Sequence, residues 1–338
     1  MQYRKSFLFL ALVLISSTAA FSITLKIGSL APRNSPWDKS LNEIAAEWNR
    51  ISNGSVQLKI YPGGITGNED DTLRKIRFGA LDGMVVSTMG LNKISLDLFT
   101  LSLPFLIKNE GELNYVMEKM QNRYMDILSE KGFKLISWTK AGWMNIFSRD
   151  PVYYPEDLEQ QKLSFTTGEE VLIKILKDLG FYVVPEDSID WLSGLQSGRT
   201  DALILSPLVA AVFQVFPIAD NMLDFQIAPL LGAIVFSKRS WRKIPEEYRQ
   251  DFLDVANKKL MALDSESREL EEKALQVMLD YGLKVNSANE RAVDAWIELF
   301  NNLYAQEGII GTMVSRDIFN ELVHNLDEYR LQSGSNAD

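Results

Sequence analysis

The sequence predicts an α/β protein built as two successive lobes. Three observations carry this expectation. The chain of 338 residues is long enough for two cores at about 150 residues each. A strand–helix–strand–helix–strand order runs from Thr24 to Ser87, and a second alternating series follows from Lys134 to Leu205. Hydrophobic residues make up 46% and charged residues 24%, which is ordinary globular usage and excludes a disordered chain or a multi-span membrane protein.

Thr24 to Ser29 alternates around Leu25 and Ile27 and reads as a buried first strand. Ser35 then Pro36 starts a helix, with Ser as N-cap and Pro in the first turn. Trp37, Leu41, Ile44, Ala45 and Trp48 recur at helical spacing until Asn53-Gly54 closes the helix. Val56 to Tyr61 is the next strand, broken by Pro62-Gly63-Gly64. Gly67 to Asp71 opens a second helix, with acids where the helix dipole favours them; it stops at Gly79, and Met84 to Ser87 is a third strand. This order implies right-handed crossovers and a largely parallel sheet.

In the second series, Leu135 to Trp138 and Trp143 to Ser148 read as strands, and Leu163 to Thr166 follows a turn at Pro155-Glu156-Asp157. Gly168 to Leu179 reads as helix, Phe181 to Val184 as strand and Ile189 to Gly198 as helix. Ala202 to Ala219 is nearly all apolar, but Pro207, Gln214 and Pro217 interrupt it and Asp201 and Asp220 bracket it. A strand and a short buried helix fit that run better than a membrane span. From Pro245 to Tyr281 the pattern is one long helix, stopped by Gly282.

The N-terminus reads as an address. Arg4 and Lys5 precede an apolar run from Phe7 to Ile15 and then Ser16, Ser17, Thr18, Ala19 and Ala20. The run is far shorter than the roughly 20 residues that cross a bilayer. Cleavage after Ala20 or Ser22 would export the protein to the periplasm and take the formal charge from −10 to −12, because Arg4 and Lys5 leave with it.

Composition excludes much chemistry. Without cysteine there is no thiol catalysis, disulfide or lipoprotein anchor, and His324 is the single histidine. Acids outnumber bases 45 to 35, which disfavours nucleic acid as a partner. No G-x-S-x-G elbow, P-loop or dinucleotide loop occurs, and no metal or cofactor is expected. The carboxylate pairs Asp70/Asp71 and Glu169/Glu170 could serve a glycoside hydrolase, but both stand at helix starts, where they complement the dipole. Trp37, Trp143 and Trp191 stand at loop edges, which favours a ligand cleft between two lobes.

The motifs, in their order, resemble the periplasmic solute-binding subunits of TRAP transporters (the DctP type). Leu25 to Gly28 with Ser35-Pro36-Trp37 is similar to the family's opening strand and helix. Tyr61-Pro62-Gly63-Gly64, Gly67, Glu69 and Phe78-Gly79-Ala80-Leu81-Asp82 follow, then Leu103-Pro104-Phe105-Leu106. The second lobe offers Tyr154-Pro155-Glu156-Asp157-Leu158 and Leu195-Gln196-Ser197-Gly198-Arg199-Thr200-Asp201, and Trp241 with Ile244-Pro245-Glu246-Glu247 leads into the long helix.

The resemblance implies a two-lobed periplasmic-binding-protein fold, each lobe a mainly parallel sheet flanked by helices, with a long lobe-spanning helix. Residues 23–141 and 232–270 would form lobe one, and 142–231 with 271–333 lobe two, between a signal peptide at 1–22 and a tail at 334–338. It also implies capture of a solute and delivery to TRAP membrane subunits, without catalysis.

Departures from the family pattern are informative. Members that bind organic acids carry an arginine in the strand after the Pro-Glu-Asp-Leu turn; Ser164 stands there, and no arginine is near it in sequence. A second common arginine falls on Met144, and a polar Glu-Asn stretch becomes Leu203-Ile204-Leu205. The expected ligand is therefore hydrophobic, acyl or aromatic, rather than a small carboxylate, since a buried carboxylate without a partner costs several kcal/mol. The expected lining is Trp37, Met144, Phe165, Ile204 and Phe236, with Ser164 and Asn145 as hydrogen-bonding groups and Arg33 as a place for an anion. An apolar ligand suits the branch that works with a tetratricopeptide-repeat accessory protein. An exported lipid carrier or chaperone without a transporter is the alternative, with an exported hydrolase behind it.

Overall fold

A computed structural model of the chain describes residues 22–334; apart from Ser22, the expected signal peptide lies outside the described residues. The first lobe opens with β1 (Ile23–Ser29), α1 (Pro36–Ile51), β2 (Val56–Tyr61), α2 (Glu69–Phe78), β3 (Gly83–Ser87), α3 (Thr88–Asn92) and α4 (Glu110–Glu130). The chain crosses over through β4 (Phe133–Trp143) into β5 (Asn145–Ser148), α5 (Pro155–Glu159), β6 (Lys162–Phe165), α6 (Glu170–Asp178) and β7 (Tyr182–Pro185). There follow α7 (Trp191–Ser197), β8 (Ala202–Leu205), α8 (Pro207–Val212) and β9 (Asn221–Leu223). It returns through β10 (Pro229–Ser237) and α9 (Lys238–Trp241) to the long α10 (Glu246–Asp280). Finally come β11 (Lys284–Asn286), α11 (Glu290–Ala305), α12 (Ile309–Met313) and α13 (Arg316–Gly334).

The first sheet has the order β2-β1-β3-β10-β4. β1 pairs in parallel with β2 and β3, as strand–helix–strand order requires, but β10 is antiparallel to both β3 and β4. The second sheet, β11-β9-β5-β8-β6-β7, is parallel except for β5, which is antiparallel to β8 and β9. Each mainly parallel sheet thus carries one antiparallel strand, because each receives a strand that enters from the other lobe instead of from a crossover helix. β10 and α4 escape the sequence reading. β10 is an apolar run without alternation, buried on both faces, and periodicity cannot assign such a run.

The two lobes repeat one device. Gly79 and Gly198 each end a helix in the left-handed conformation, and an aspartate three residues later accepts from the backbone N–H of a strand. Asp82 accepts from Lys26 N at 2.8 Å, and Asp201 from Lys162 N at 3.3 Å. Asp82 also takes Ser240 Oγ and Lys243 Nζ, which ties α9 to the first sheet; its carboxyl is held below the usual aspartate range by these donors, despite burial, which raises it.

The crossing strands meet at Met144, whose N–H donates to Ala228 O at 2.9 Å and whose carbonyl accepts from Ile227 N at 2.8 Å. At 1.5 Å per residue α10 is about 52 Å long, and it runs along β4 and α1 to reach α8 in the second lobe. Seven residues apart on one face, Asp264 and Glu271 accept from the N–H groups of Lys140 and Trp143, holding the crossing strand to the helix. Two apolar clusters form the core, one containing Trp48, Phe147 and Phe252, the other Tyr124, Ile146, Leu163 and Trp296. The C-terminal helix differs from expectation: α13 packs on α4 of the first lobe, where Arg330 bonds Glu112 at 2.9 Å and Leu106 O at 2.8 Å. α11 stays with the second lobe through Trp296, which stacks on Phe181 and donates to Tyr153 O.

Candidate functional site

A cavity of about 300 Å³ lies between the lobes, at the ends of β1, β3, β6 and β8 and against the crossing strands. Strand ends place Ser29 to Ala31, Val85 to Met89, Leu163 to Thr166 and Leu203 to Leu205 around it. Of the expected lining, Trp37, Met144, Ser164, Phe165 and Ile204 do face the cavity, as does Trp191.

Two expected residues do not line it. Phe236 is fully buried, packed against Trp48 and Trp241 at 5.9 and 6.0 Å; it pairs with Gly83 at the start of β3, whereas the cavity lies at the other end of that strand, where Gly232 pairs with Ser87. The Asn145 amide is consumed at the crossover, donating to Leu223 O and Phe225 O at 3.1 and 3.3 Å. Arg33 is exposed and outside the lining, and Trp143 is buried with its Nε1 on Glu110 at 3.3 Å.

Ser164 is less available than its position implies. Its hydroxyl donates to Glu186 Oε2 at 2.9 Å, and the same carboxylate takes Thr200 Oγ1 at 3.1 Å and Arg199 Nε at 2.9 Å. An arginine therefore does come near Ser164 in space, through a shared acid, but its charge is spent on a fully buried side chain beneath the cavity wall. Among the described residues no arginine lines the cavity.

The polar groups that do line it form a belt across the lobe boundary, which sequence reasoning missed. Asn68 Nδ2 donates to Asp187 Oδ2 at 2.7 Å, and Thr167 Oγ1 donates to the other oxygen of Asp187. Lys93, only 7% exposed, bonds Asp70 at 2.6 Å and the carbonyl of Thr167 at 2.7 Å. Asn92 donates to Glu169. Asp70 and Glu169 thus have long-range partners beyond the helix dipole. A lone lysine between the apolar runs of α3 and Leu96 was the one signal, and only the fold says what it meets. The lobes are therefore closed on each other opposite the crossover. Glu69 accepts from Ser87 N at 2.6 Å and Ser87 Oγ at 2.8 Å; burial raises its carboxyl above the usual glutamate range.

Three acids set a pH dependence. Burial pushes Glu169 and Glu271 from 4.5 up to about 7, and Asp264 from 3.8 up to about 6, against the opposing pull of their donors. The folded state holds these protons more tightly than the unfolded chain, so their contribution is complete at about pH 4 and is lost as pH rises towards 7. Calorimetric melting is expected to show a Tm about 2–5 °C higher near pH 5 than near pH 8. A flat profile, or one rising with pH, would remove this account.

Residues 27–308 match bacterial extracellular solute-binding protein family 7, DctP, over most of the chain. The chain belongs to the DctP family. A solute-binding protein of Chromohalobacter salexigens is 24% identical over 300 residues, covering 86% of this chain and 87% of its own. The fold matches a TRAP periplasmic solute-binding protein from the same species, solved with bound D-glucuronate. Its TM-score is 0.81 at 21% identity, covering 90% of this chain and 99% of that one. A second, from Desulfovibrio salexigens with bound orotic acid, matches at TM-score 0.82 and 18% identity, over 91% and 99%.

As a DctP-family protein the chain is built to bind a solute, and of the acids weighed as hydrolytic pairs Asp70, Asp71 and Glu169 are engaged by Lys93, Arg74 and Asn92. In this family member the motif aspartates Asp82 and Asp201 are framework, whereas Glu69 of the same stretch reaches the cavity wall. Among the described residues no helix is long and apolar enough to cross a membrane and no acid or histidine cluster could hold a metal ion.

Proposed function

We propose that this DctP-family protein is the periplasmic binding subunit of a TRAP transporter and carries a predominantly apolar ligand to its membrane subunits. The observation that carries the reading is the lining: aromatic and aliphatic side chains around the cavity, no arginine, and one cation already paired with Asp70. A small carboxylate entering it would meet Glu69 and Asp187 and no free partner, and an unpaired buried charge is strongly unfavourable. The relatives solved with D-glucuronate and orotic acid hold acids, so the ligand class is where this chain is read as departing from them.

A thermal-shift panel on refolded, ligand-stripped protein tests this with sugar acids, dicarboxylates, fatty acids, fatty alcohols and aromatic acids. A ligand at about 100 times its Kd adds about 2.7 kcal/mol, or several degrees in Tm. A response to acyl or aryl compounds supports the reading; a response confined to glucuronate or a dicarboxylate sinks it. Phe165, half-buried at the cavity wall, supplies a sharper check. Phe165→Ala is expected to weaken the responding ligand about 10- to 100-fold, the loss of one aromatic contact surface, and Ile204→Ser by a similar factor. Titration calorimetry showing unchanged Kd in both would mean the lining is misplaced. A tetratricopeptide-repeat partner is the further expectation of the apolar-ligand branch, tested by capture from the cell envelope with the protein as bait.

A further inference from the structure

The cavity does not stop at the lobe boundary. From the interlobe cleft it continues beneath the second sheet, between β6, α6 and α11, where Leu163, Ile175, Phe181, Trp296, Phe300 and Leu303 line it. These six residues belong to one core cluster, while Trp37, Leu203, Leu205 and Val209, which line the other end, belong to the second. One continuous space is therefore walled by both cores.

We infer that this deep arm is a tail subsite that receives a single unbranched hydrocarbon chain and selects its length. Protein cores are packed at crystal density with few voids larger than a water molecule, so a continuous gap inside a lobe is space kept for something. Its walls offer no polar side chain except the Trp296 indole, whose N–H is already given to Tyr153 O, so water would find no partners there. The polar belt of Asn68, Lys93 and Asp187 lines the cavity at the lobe boundary, where Asn68 of the first lobe meets Asp187 of the second. An occupant must thus be apolar over its inner part, polar only at its outer end, and able to turn past the ends of β6 and β8. A flexible alkyl or acyl chain does this; a rigid ring system of the same volume does not. Leu176 of α6 and Phe300 of α11 both line the cavity, so a change in the size of either changes the room in the arm.

This inference rests on the apolar-ligand reading, and the experiment separates the two. The refolded, stripped protein is titrated by calorimetry with saturated fatty alcohols from octanol to octadecanol, the matching fatty acids, and D-glucuronate. Affinity for the chains is expected to rise about fourfold per methylene, the equivalent of about 0.8 kcal/mol, and then to level at a limiting length. Leu176→Phe shortens that limit and Phe300→Leu lengthens it, with short chains binding as before; either variant alone suffices if the other fails to fold. An unchanged limiting length in the folded variants, with chain binding intact, overturns the tail subsite and leaves the apolar-ligand reading standing. Glucuronate binding with no response to any chain overturns both. Alcohols binding above acids of equal length supports a neutral head at the polar belt, and acids above alcohols an anionic one; both support the subsite.

Discussion

Glu186→Ala is expected to cost about 3 kcal/mol of stability, because it leaves the buried hydroxyls of Ser164 and Thr200 without their acceptor, while the half-exposed Arg199 turns to water. Glu186 has a fully buried side chain at the end of β7. Its carboxylate holds Arg199 through two nitrogens and the hydroxyls of Ser164 and Thr200, joining β6 to the loop after α7. Only glycine fits at position 194, because a Cβ there would strike that carboxylate. Removing the acid leaves two hydroxyls beside an apolar void. Glu186→Gln keeps the volume and one acceptor but sets an amide donor against these donors, so it should fall between. Urea unfolding reads both. A loss below about 1 kcal/mol for the alanine variant would show that water replaces the carboxylate and the network is no tie. The network also commits Arg199 to Glu186 rather than to a ligand.

Trp48→Ala is expected to cost about 3–5 kcal/mol, the usual range for truncating a fully buried aromatic. Trp48 sits on the inner face of α1, stacked on Phe252 of α10 at 4.5 Å with an interplanar angle of 6°. Phe236 and Trp241 close the cluster, and Trp48 Nε1 donates to Phe252 O at 3.1 Å. That carbonyl is in a helix interior, so Trp48→Phe should lose roughly 1 kcal/mol through the indole hydrogen bond and some ring area. Phe236→Ala belongs to the same experiment: it should destabilise the protein yet leave ligand affinity in the surviving folded fraction unchanged. Affinity falling with Phe236→Ala would return that residue to the cleft.

The sequence was most readable where chemistry is local. Ser35 caps α1 and Asn68 caps α2 through their side chains, while Gly79 and Gly198 end helices in a conformation that L-residues rarely adopt. These signals lie within four residues of what they determine, so β1 to β3 and β6 to β8 follow from composition and spacing. Trp37 could be placed at the cavity because strand ends carry ligands in this class of fold, and Met144, Phe165 and Ile204 because the family resemblance implies ligand contacts at or beside them. Phe236 and Asn145 could not be placed correctly. On an apolar strand buried along its length, nothing in the pattern says which end meets the cleft. An amide beside a crossover can serve either the backbone or a ligand.

Sequence alone therefore determined the two α/β lobes, the long helix and the absence of cysteine chemistry. Tertiary structure decided the rest. It brought Arg199 onto Glu186 from 13 residues away, Asn68 onto Asp187 across 119 residues and Lys93 onto Thr167 across 74. It ran β10 antiparallel into the first sheet and carried the cavity under the second. Hydrogen-bonding residues advertise what they can bond but not what they will meet, and a void is a property of packed surfaces that no single segment carries.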